Sequence, residues 1–261
     1  MSSLELREVQ LTILDFFVSE CSELGLQFFA YYGTLIGAVR HKGFIPWDDD
    51  IDLAMPRESF QRLEKIDWAR HGLELISAQN SRSSPYLATK ISCIGTRVVE
   101  NISRPSVEAG VSIDIFPIDD VNPNSVSHRF LNSALSAVKS LLALKVTAVS
   151  AKRSAWRNGV LRLSKLLLAP IPANALSRLA NRIFLDTKGG GYCASLLGPY
   201  GKRELAKAEC FASTIGVEFE GRTLPAPKGY SEVLSGIYGD YMELPPPEKR
   251  VTHHSFEAFW L

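Results

Sequence analysis

Five aspartates concentrate the chemistry of this sequence. Asp48, Asp49, Asp50 and Asp52 crowd into GTLIGAVRHKGFIPWDDDIDLAMPR, residues 33–57, directly behind a Pro-Trp turn, and Asp114 stands alone in the apolar run VSIDIF. Each ionised carboxylate raises the cost of ionising the next, so such a group calls for a cation. In DIDLAMP, Asp50, Asp52 and Ala54 alternate with Ile51, Leu53 and Met55, which is the period of a strand, and side chains at i and i+2 share a face about 7 Å apart. That spacing allows Asp50 and Asp52 to share one divalent ion. An ionised Asp114 inside an apolar strand is costly unless it is paired or binds a cation. Placed on a neighbouring strand, it completes an oxygen-rich site suited to Mg2+ or Mn2+. Asp48 is a candidate additional or supporting ligand, whereas Asp49 is out of phase and expected to face away. A calcium EF-hand beginning at Asp48 fails, because its sixth position requires Gly and its twelfth Glu, where this chain has Leu53 and Ser59. A solvated acidic turn after Trp47 accounts for Asp48 and Asp49 but leaves Asp52 and Asp114, inside strand patterns, unexplained.

A second half of the site is expected at Gly33-Thr34. A glycine at the mouth of a helix lets backbone amides approach an anion, and the helix dipole favours negative charge there. Together with a metal-binding DxD one short helix later, it describes a chain that holds a diphosphate between amides and cations.

The elements that must position these residues follow from periodicity. Residues 4–25 carry Leu4, Leu11, Leu14, Val18 and Cys21 at helical spacing with Gly25 at the end. LQFFAYYG, 26–33, reads as a short buried strand, Thr34 to His41 as a short helix, DIDLAMP as a strand with one apolar and one acidic face, and Pro56 as the opening of a helix that aligns Phe60, Leu63 and Ile66. LATKISCI and TRVVENI predict a strand pair around Gly95, and VSIDIFPID a strand stopped by Pro117. Strands and helices are mixed, so the class is α/β or α+β.

Composition bounds the rest. With 261 residues, 46% hydrophobic, the chain can bury one sizeable core carrying a smaller lobe. Cys21, Cys93, Cys193 and Cys210 lie far apart with no C-x-x-C pair, which argues against a disulfide framework or zinc ribbon and fits a reducing cytoplasm. MSSLELREVQ carries charge where a signal peptide needs an apolar run. The net charge is +1, yet ten of the 29 basic residues fall between Val121 and Leu185, where there is no Asp or Glu. Lys139, Lys145, Lys165, Pro170 and Pro172 interrupt every apolar run there before it reaches spanning length. Such a basic, apolar, acid-free helical block predicts either a lobe with a solvated basic face or contact with an anionic membrane or another negatively charged partner. Its basic residues are interleaved with leucine instead of glycine and aromatics, which excludes nucleic acid as the expected partner.

The first block, YYGTLIGAVRHKGFIPWDDDIDLAMPR, resembles the signature of the LicD family, related to the fukutin-type transferases and similar to the nucleotidyltransferase-fold superfamily. PYLATKI (85–91) followed by Thr96, GVSIDIFPID (110–119) and YGDYMELPPPEKRVTHH (238–254) resemble further family stretches. The resemblance implies a nucleotidyltransferase-like catalytic core over 1–120, a basic helical lobe inserted over 121–190, and a C-terminal part, 191–261, completing the active-site region. It implies a metal-dependent transferase moving a phospho-alcohol, phosphocholine or an alditol phosphate, from a CDP-linked donor to a sugar hydroxyl of a cell-surface glycan or its lipid-linked precursor. Its acceptor would place it in the cytoplasm at the inner face of the plasma membrane, docked through 121–185.

Carried over by residue, the glycine-hydroxyl pair falls on Gly33 and Thr34, the DxD on Asp50 and Asp52, and the third acid on Asp114. Arg40, Lys42 and Lys90 are candidates to neutralise donor phosphates, and His253 and His254 for metal ligation or acid-base chemistry. If the group moved is phosphocholine, its quaternary ammonium calls for aromatic faces, for which Tyr31, Tyr32, Phe44, Trp47, Tyr238 and Tyr241 are available. Two alternatives stay open: a nucleotidyltransferase acting on a small alcohol phosphate, and a catalytically silent metal- or glycan-binding protein.

Overall fold

The structure is a computed structural model that describes all of the chain except residues 82–83, 101–108, 148, 150–153, 184–188 and 252–255. His253 and His254, and with them Lys152 and Arg153 of the basic block, lie outside the described residues. Helix α1 (Ser3–Leu24) is fixed at its start by a capping box between Ser2 and Glu5. It ends at Gly25, whose φ of 61° lets its N–H reach the carbonyls of Cys21 and Ser22. Its inner face, Ile13, Leu14, Phe17 and Cys21, is buried.

Strand β1 (Phe29–Ala30) is shorter than the aromatic run suggested, because the chain turns at Tyr31 and enters α2 (Tyr32–His41) two residues before Thr34. Strand β2 (Asp52–Pro56) leads directly into α3 (Arg57–Arg62). Strands β3 (Leu73–Ile76), β4 (Thr89–Cys93), β5 (Thr96–Glu100) and β6 (Ser112–Val121) follow. The main sheet runs β1-β2-β6-β4-β3, with β2 and β6 parallel and the other pairs antiparallel.

Three expectations are corrected. Leu53, Ala54 and Met55 are all fully buried, so β2 has no acidic face beyond Asp52: it is a central strand covered on both sides. β4 and β5 do not pair with each other. β4 is bonded on both edges, by β3 and β6, which leaves β5 to leave the sheet and take a partner near the C-terminus. β6 does not stop at Pro117. Asp114 N–H bonds toward β2, at Ile51 O, so by the period of two Pro117 faces the opposite edge. On that edge pairing with β4 ends at Ile115 and the next partner begins opposite Asp119, so no ladder bond needs the missing N–H.

Helices α4 (Val126–Val146), α5 (Ala155–Leu167) and α6 (Ala173–Arg182) form a lobe with its own small core, in which Leu135, Val138 and Leu142 meet Ala173, Leu176 and Ala180. The lobe leaves from β6 and returns in β7 (Tyr192–Ala194), which pairs with the end of β6, so it is an insertion between adjacent strands. Among the described residues no helix is long and apolar enough to cross a membrane. Strand β8 (Ala206–Lys207) extends the sheet from β7. Strands β9 (Thr214–Phe219) and β10 (Arg222–Pro227) form a hairpin whose two turn residues, Glu220 and Gly221, both have positive φ, as a primed two-residue turn requires. Helix α7 (Tyr230–Tyr238) follows, and β11 (Phe256–Trp260) pairs with β5. The architecture is a mixed α/β fold with a mostly helical insertion. All four cysteines are free thiols.

Candidate active site

The parallel register of β2 and β6 sets Asp52 beside Asp114, and the antiparallel register of β4 and β6 sets Lys90 on the other side of Asp114. Two acids and a lysine, 62 and 24 residues apart in the chain, thereby form a row across three central strands. Lys90 Nζ donates to both carboxylate oxygens of Asp114, at 2.5 and 2.8 Å. Lys90 also lies 4.9 Å from the centre of the Tyr86 ring.

Asp48 and Asp50 reach the same place from the loop before β2. The strand begins only at Asp52, so Asp50 is presented by the loop and not by strand alternation. Helix α1 holds that loop: Arg7 donates to Asp48 O at 3.0 Å and Gln10 to Asp49 O at 2.8 Å. The start of β2 is fixed from α2, where the buried Thr34 hydroxyl accepts the Asp52 N–H at 2.8 Å. Thr34 therefore positions an acid directly, and only Gly33 of the pair opens onto the cleft. A Cβ on Gly33 would stand 2.4 Å from Asp48 Oδ2, so the absent side chain makes room for the carboxylate. Asp49 lines a separate small cavity of about 80 Å3 that adjoins Asp50, Lys90 and Asp114 on the other side and does not line the main cleft; strand phase is not the cause, since β2 begins only at Asp52.

Asp48, Asp50, Asp52 and Asp114 lie at the floor of a cleft of about 1040 Å3. Burial, and next to it the neighbouring Asp50, push the Asp48 carboxyl up to about 7. The same two causes, joined by Asp114 and Asp48, hold Asp52 well above the usual carboxylate range. The donor set is oxygen-only and carries more negative charge than Lys90 offsets, which fits a hard divalent ion. Among the described residues no three His, Cys, Asp or Glu side chains converge as a metal centre.

One wall is aromatic. The Tyr32 ring lies 5.0 Å from Phe116 and 5.4 Å from Tyr200, and Tyr200 lies 5.2 Å from Tyr238. Of the aromatic candidates, Tyr32, Trp47, Tyr238 and Tyr241 line the cleft, whereas Tyr31 and Phe44 are packed in the core. Tyr32 opens α2 with φ of 39°, a conformation that L residues adopt rarely. It is held there by its ring neighbours and by its hydroxyl, which donates to the buried Glu204. Glu204 also accepts from the N–H groups of Tyr200, at 2.7 Å, and Gly201, at 3.2 Å. Lys139 of the lobe donates to Gly198 O at 2.6 Å, two residues before Tyr200.

The rim is formed by 240–251. Arg40 donates to Tyr241 O at 2.9 Å and Glu243 O at 3.4 Å, so it lines the cleft while tethering this segment. Lys249 lines the rim, and the Arg250 guanidinium lies 5.7 Å from the centre of the Trp47 ring. Lys42 is not brought to the cleft: it is exposed and pairs with Glu218 on β9 at 3.2 Å. Sequence reasoning missed Glu204, Tyr200, Phe116 and Lys249. Phe116 and Lys249 lie in stretches that resemble the family, but nothing local marks Glu204 and Tyr200, which meet Tyr32 only in the fold.

Comparison with known proteins identifies the family. Residues 25–135, which hold β1, α2, Asp48, Asp50, Asp52, Asp114 and Lys90, match the family described as LicD/FKTN/FKRP, nucleotidyltransferase domain. The lipopolysaccharide cholinephosphotransferase LicD of Haemophilus influenzae is 33% identical over 272 residues, covering 100% of both chains. An uncharacterized protein of Rickettsia prowazekii, RP689, is 53% identical over 34 residues, 13% of each chain. Similarity to the Haemophilus protein extends past the matched domain through the lobe and the aromatic wall to the C-terminus, and the chain belongs to the LicD family.

Proposed function

We propose that this LicD-family transferase moves a phospho-alcohol, phosphocholine or an alditol phosphate, from a CDP-linked donor to a sugar hydroxyl of a glycan or its lipid-linked precursor. The observation that carries the reading is the Asp52–Asp114 register, which sets two carboxylates side by side in a cleft that Asp48 and Asp50 also line and that has an aromatic wall. Asp50, Asp52 and Asp114, supported by Asp48, would hold Mg2+ or Mn2+. That ion would offset the charge of the donor diphosphate and of the departing CMP.

The chain's own residues do the rest. Lys90 orients Asp114 on the strand row, and Gly33 leaves the space that Asp48 occupies. Arg40 and Lys249 bring positive charge to the rim where the donor phosphates enter. The acceptor hydroxyl oxygen forms the new bond to phosphorus as the bond to the CMP oxygen breaks, and Asp48 or Asp114 takes the hydroxyl proton. The faces of the half-buried Tyr200 and Tyr238 suit the alcohol end of the donor, a quaternary ammonium being favoured by such rings. The Haemophilus relative's name, a cholinephosphotransferase, supports phosphocholine as the first donor to try.

Incubation with CDP-choline, CDP-ribitol and CDP-glycerol in the presence of Mg2+ or Mn2+, with glycan acceptors, tests the reading. Acceptor-dependent CMP release from one donor is expected. Consumption of CTP with pyrophosphate release, and no turnover of any CDP-alcohol, would replace it with nucleotidyl transfer.

A further inference from the structure

The helical insertion carries a surface that the transfer reaction does not use. Helix α5 turns one face toward the rest of the lobe, where Leu161 is buried. On its outer face Trp156, Val160, Leu163 and Leu167 are 68%, 52%, 58% and 70% exposed. Their spacing of four, three and four residues stacks them into a single stripe along the helix. Arg157 and Arg162 lie on opposite flanks of that stripe at 100° per residue, and the Arg157 guanidinium sits 5.5 Å from the centre of the Trp156 ring. An apolar face turned outward, bordered by two arginines, reverses the usual arrangement of a globular surface helix.

We infer that α5 is a membrane-surface helix that lies in the interface of an anionic bilayer, its apolar stripe in the acyl boundary and its arginines among anionic headgroups. Charge complementarity selects this occupant. No Asp or Glu occurs between Val121 and Leu185, so every formal charge on the lobe helices favours a negative surface. A second copy docked through the same stripe in two-fold symmetry would bring arginines to both sides of the contact with no Asp or Glu on the helix to pair them. A phosphate polymer would meet leucine and valine at the centre of the face, where it needs donors. Because α5 packs on α4, and Lys139 of α4 holds the Gly198 carbonyl beside Tyr200, the docked lobe is joined to the cleft wall through packed elements. The inference stands on the lobe surface and does not depend on which donor the cleft takes.

Flotation of the full chain with vesicles of phosphatidylglycerol and phosphatidylcholine, against phosphatidylcholine alone, tests it. Trp156 emission is read as the difference between the native protein and W156F. The expected result is flotation with anionic vesicles only, loss of binding in high salt, and a blue shift of the Trp156 component. R157Q/R162Q should bind about thirty-fold more weakly, and L163Q should lose the blue shift, both without a change in far-UV circular dichroism. Absence of flotation with anionic vesicles would overturn the inference. So would equal binding by R157Q/R162Q and the native chain, or a dimer in light scattering that L163Q dissociates, which would assign the stripe to a second copy.

Discussion

Gly33 is a glycine because of Asp48. A methyl group there would stand 2.4 Å from one carboxylate oxygen, and since that oxygen ends a side chain, the carboxylate is displaced and the backbone stays. Gly33→Ala should therefore fold normally by circular dichroism but release CMP about a hundredfold more slowly, the cost of misplacing a reacting group by about 1 Å; an unchanged rate would remove Asp48 from the account. Lys90 acts on the same cluster from the other side. It is the lysine in contact with Asp114, and Asp114 stands beside Asp52. Lys90→Gln leaves two acids opposed across adjacent strands, so Mn2+ should raise the melting temperature more in the variant than in the native chain. Each additional kcal/mol of linkage corresponds to about 2–4 °C for a chain of this size. Equal shifts would mean that the ion is held elsewhere.

Among elements, α2 carries the most constraint: its first residue, Tyr32, has an unfavourable φ, its second is Gly33, and its third anchors the start of β2. Glu204 locks this helix from a position 172 residues away. Burial pushes the Glu204 carboxyl from 4.5 up to about 7, against the hydrogen bonds that it accepts. The folded state therefore binds this proton more tightly than the unfolded chain does. The resulting stabilisation is full below pH 4.5 and is lost as pH rises through about 7, up to about 3 kcal/mol. Urea titrations between pH 4.5 and 7 should show the native protein losing stability relative to E204Q over that window; parallel curves would contradict the assignment. None of this was legible locally, because Glu204 sits in an unremarkable run, GKRELAK, and acquires its role only where the fold brings Tyr32 to it. The strands were better marked. DIDLAMP, LATKISCI and VSIDIF announced themselves by period and apolar content, but periodicity names no partner. The reading that joined β4 to β5 across Gly95 followed sequence proximity, whereas β3 and β6 had already taken both edges of β4. Pro117 was read as a stop because its missing N–H is a local fact, while the unpaired edge that tolerates it belongs to the sheet.

Over the whole molecule, three stretches of one chain converge on one cleft. The first 121 residues supply the four clustered aspartates and, in Tyr32 and Phe116, part of the aromatic wall, the lobe supports the loop before Tyr200 through Lys139, and residues after 191 supply the rest of the wall and the rim. The acids could be picked out from the sequence because charge that dense is costly without a purpose. The wall was legible only in part: Tyr32 and Tyr238 stand among the aromatic candidates, whereas Tyr200 and Phe116 join them only in the fold. At the centre is the claim that Asp52 and Asp114, aligned by parallel strands, work as one phosphoryl-transfer unit. The direct test is a double-mutant cycle on CMP release from the CDP-linked donor that the native chain turns over, using D52N, D114N and D52N/D114N, each shown to be folded. The account predicts that either single substitution lowers the rate by at least about a hundredfold and that the double variant is scarcely slower than the worse single one, as for residues that act as a unit. Native rates in either single variant, or losses that add in free energy, would contradict it.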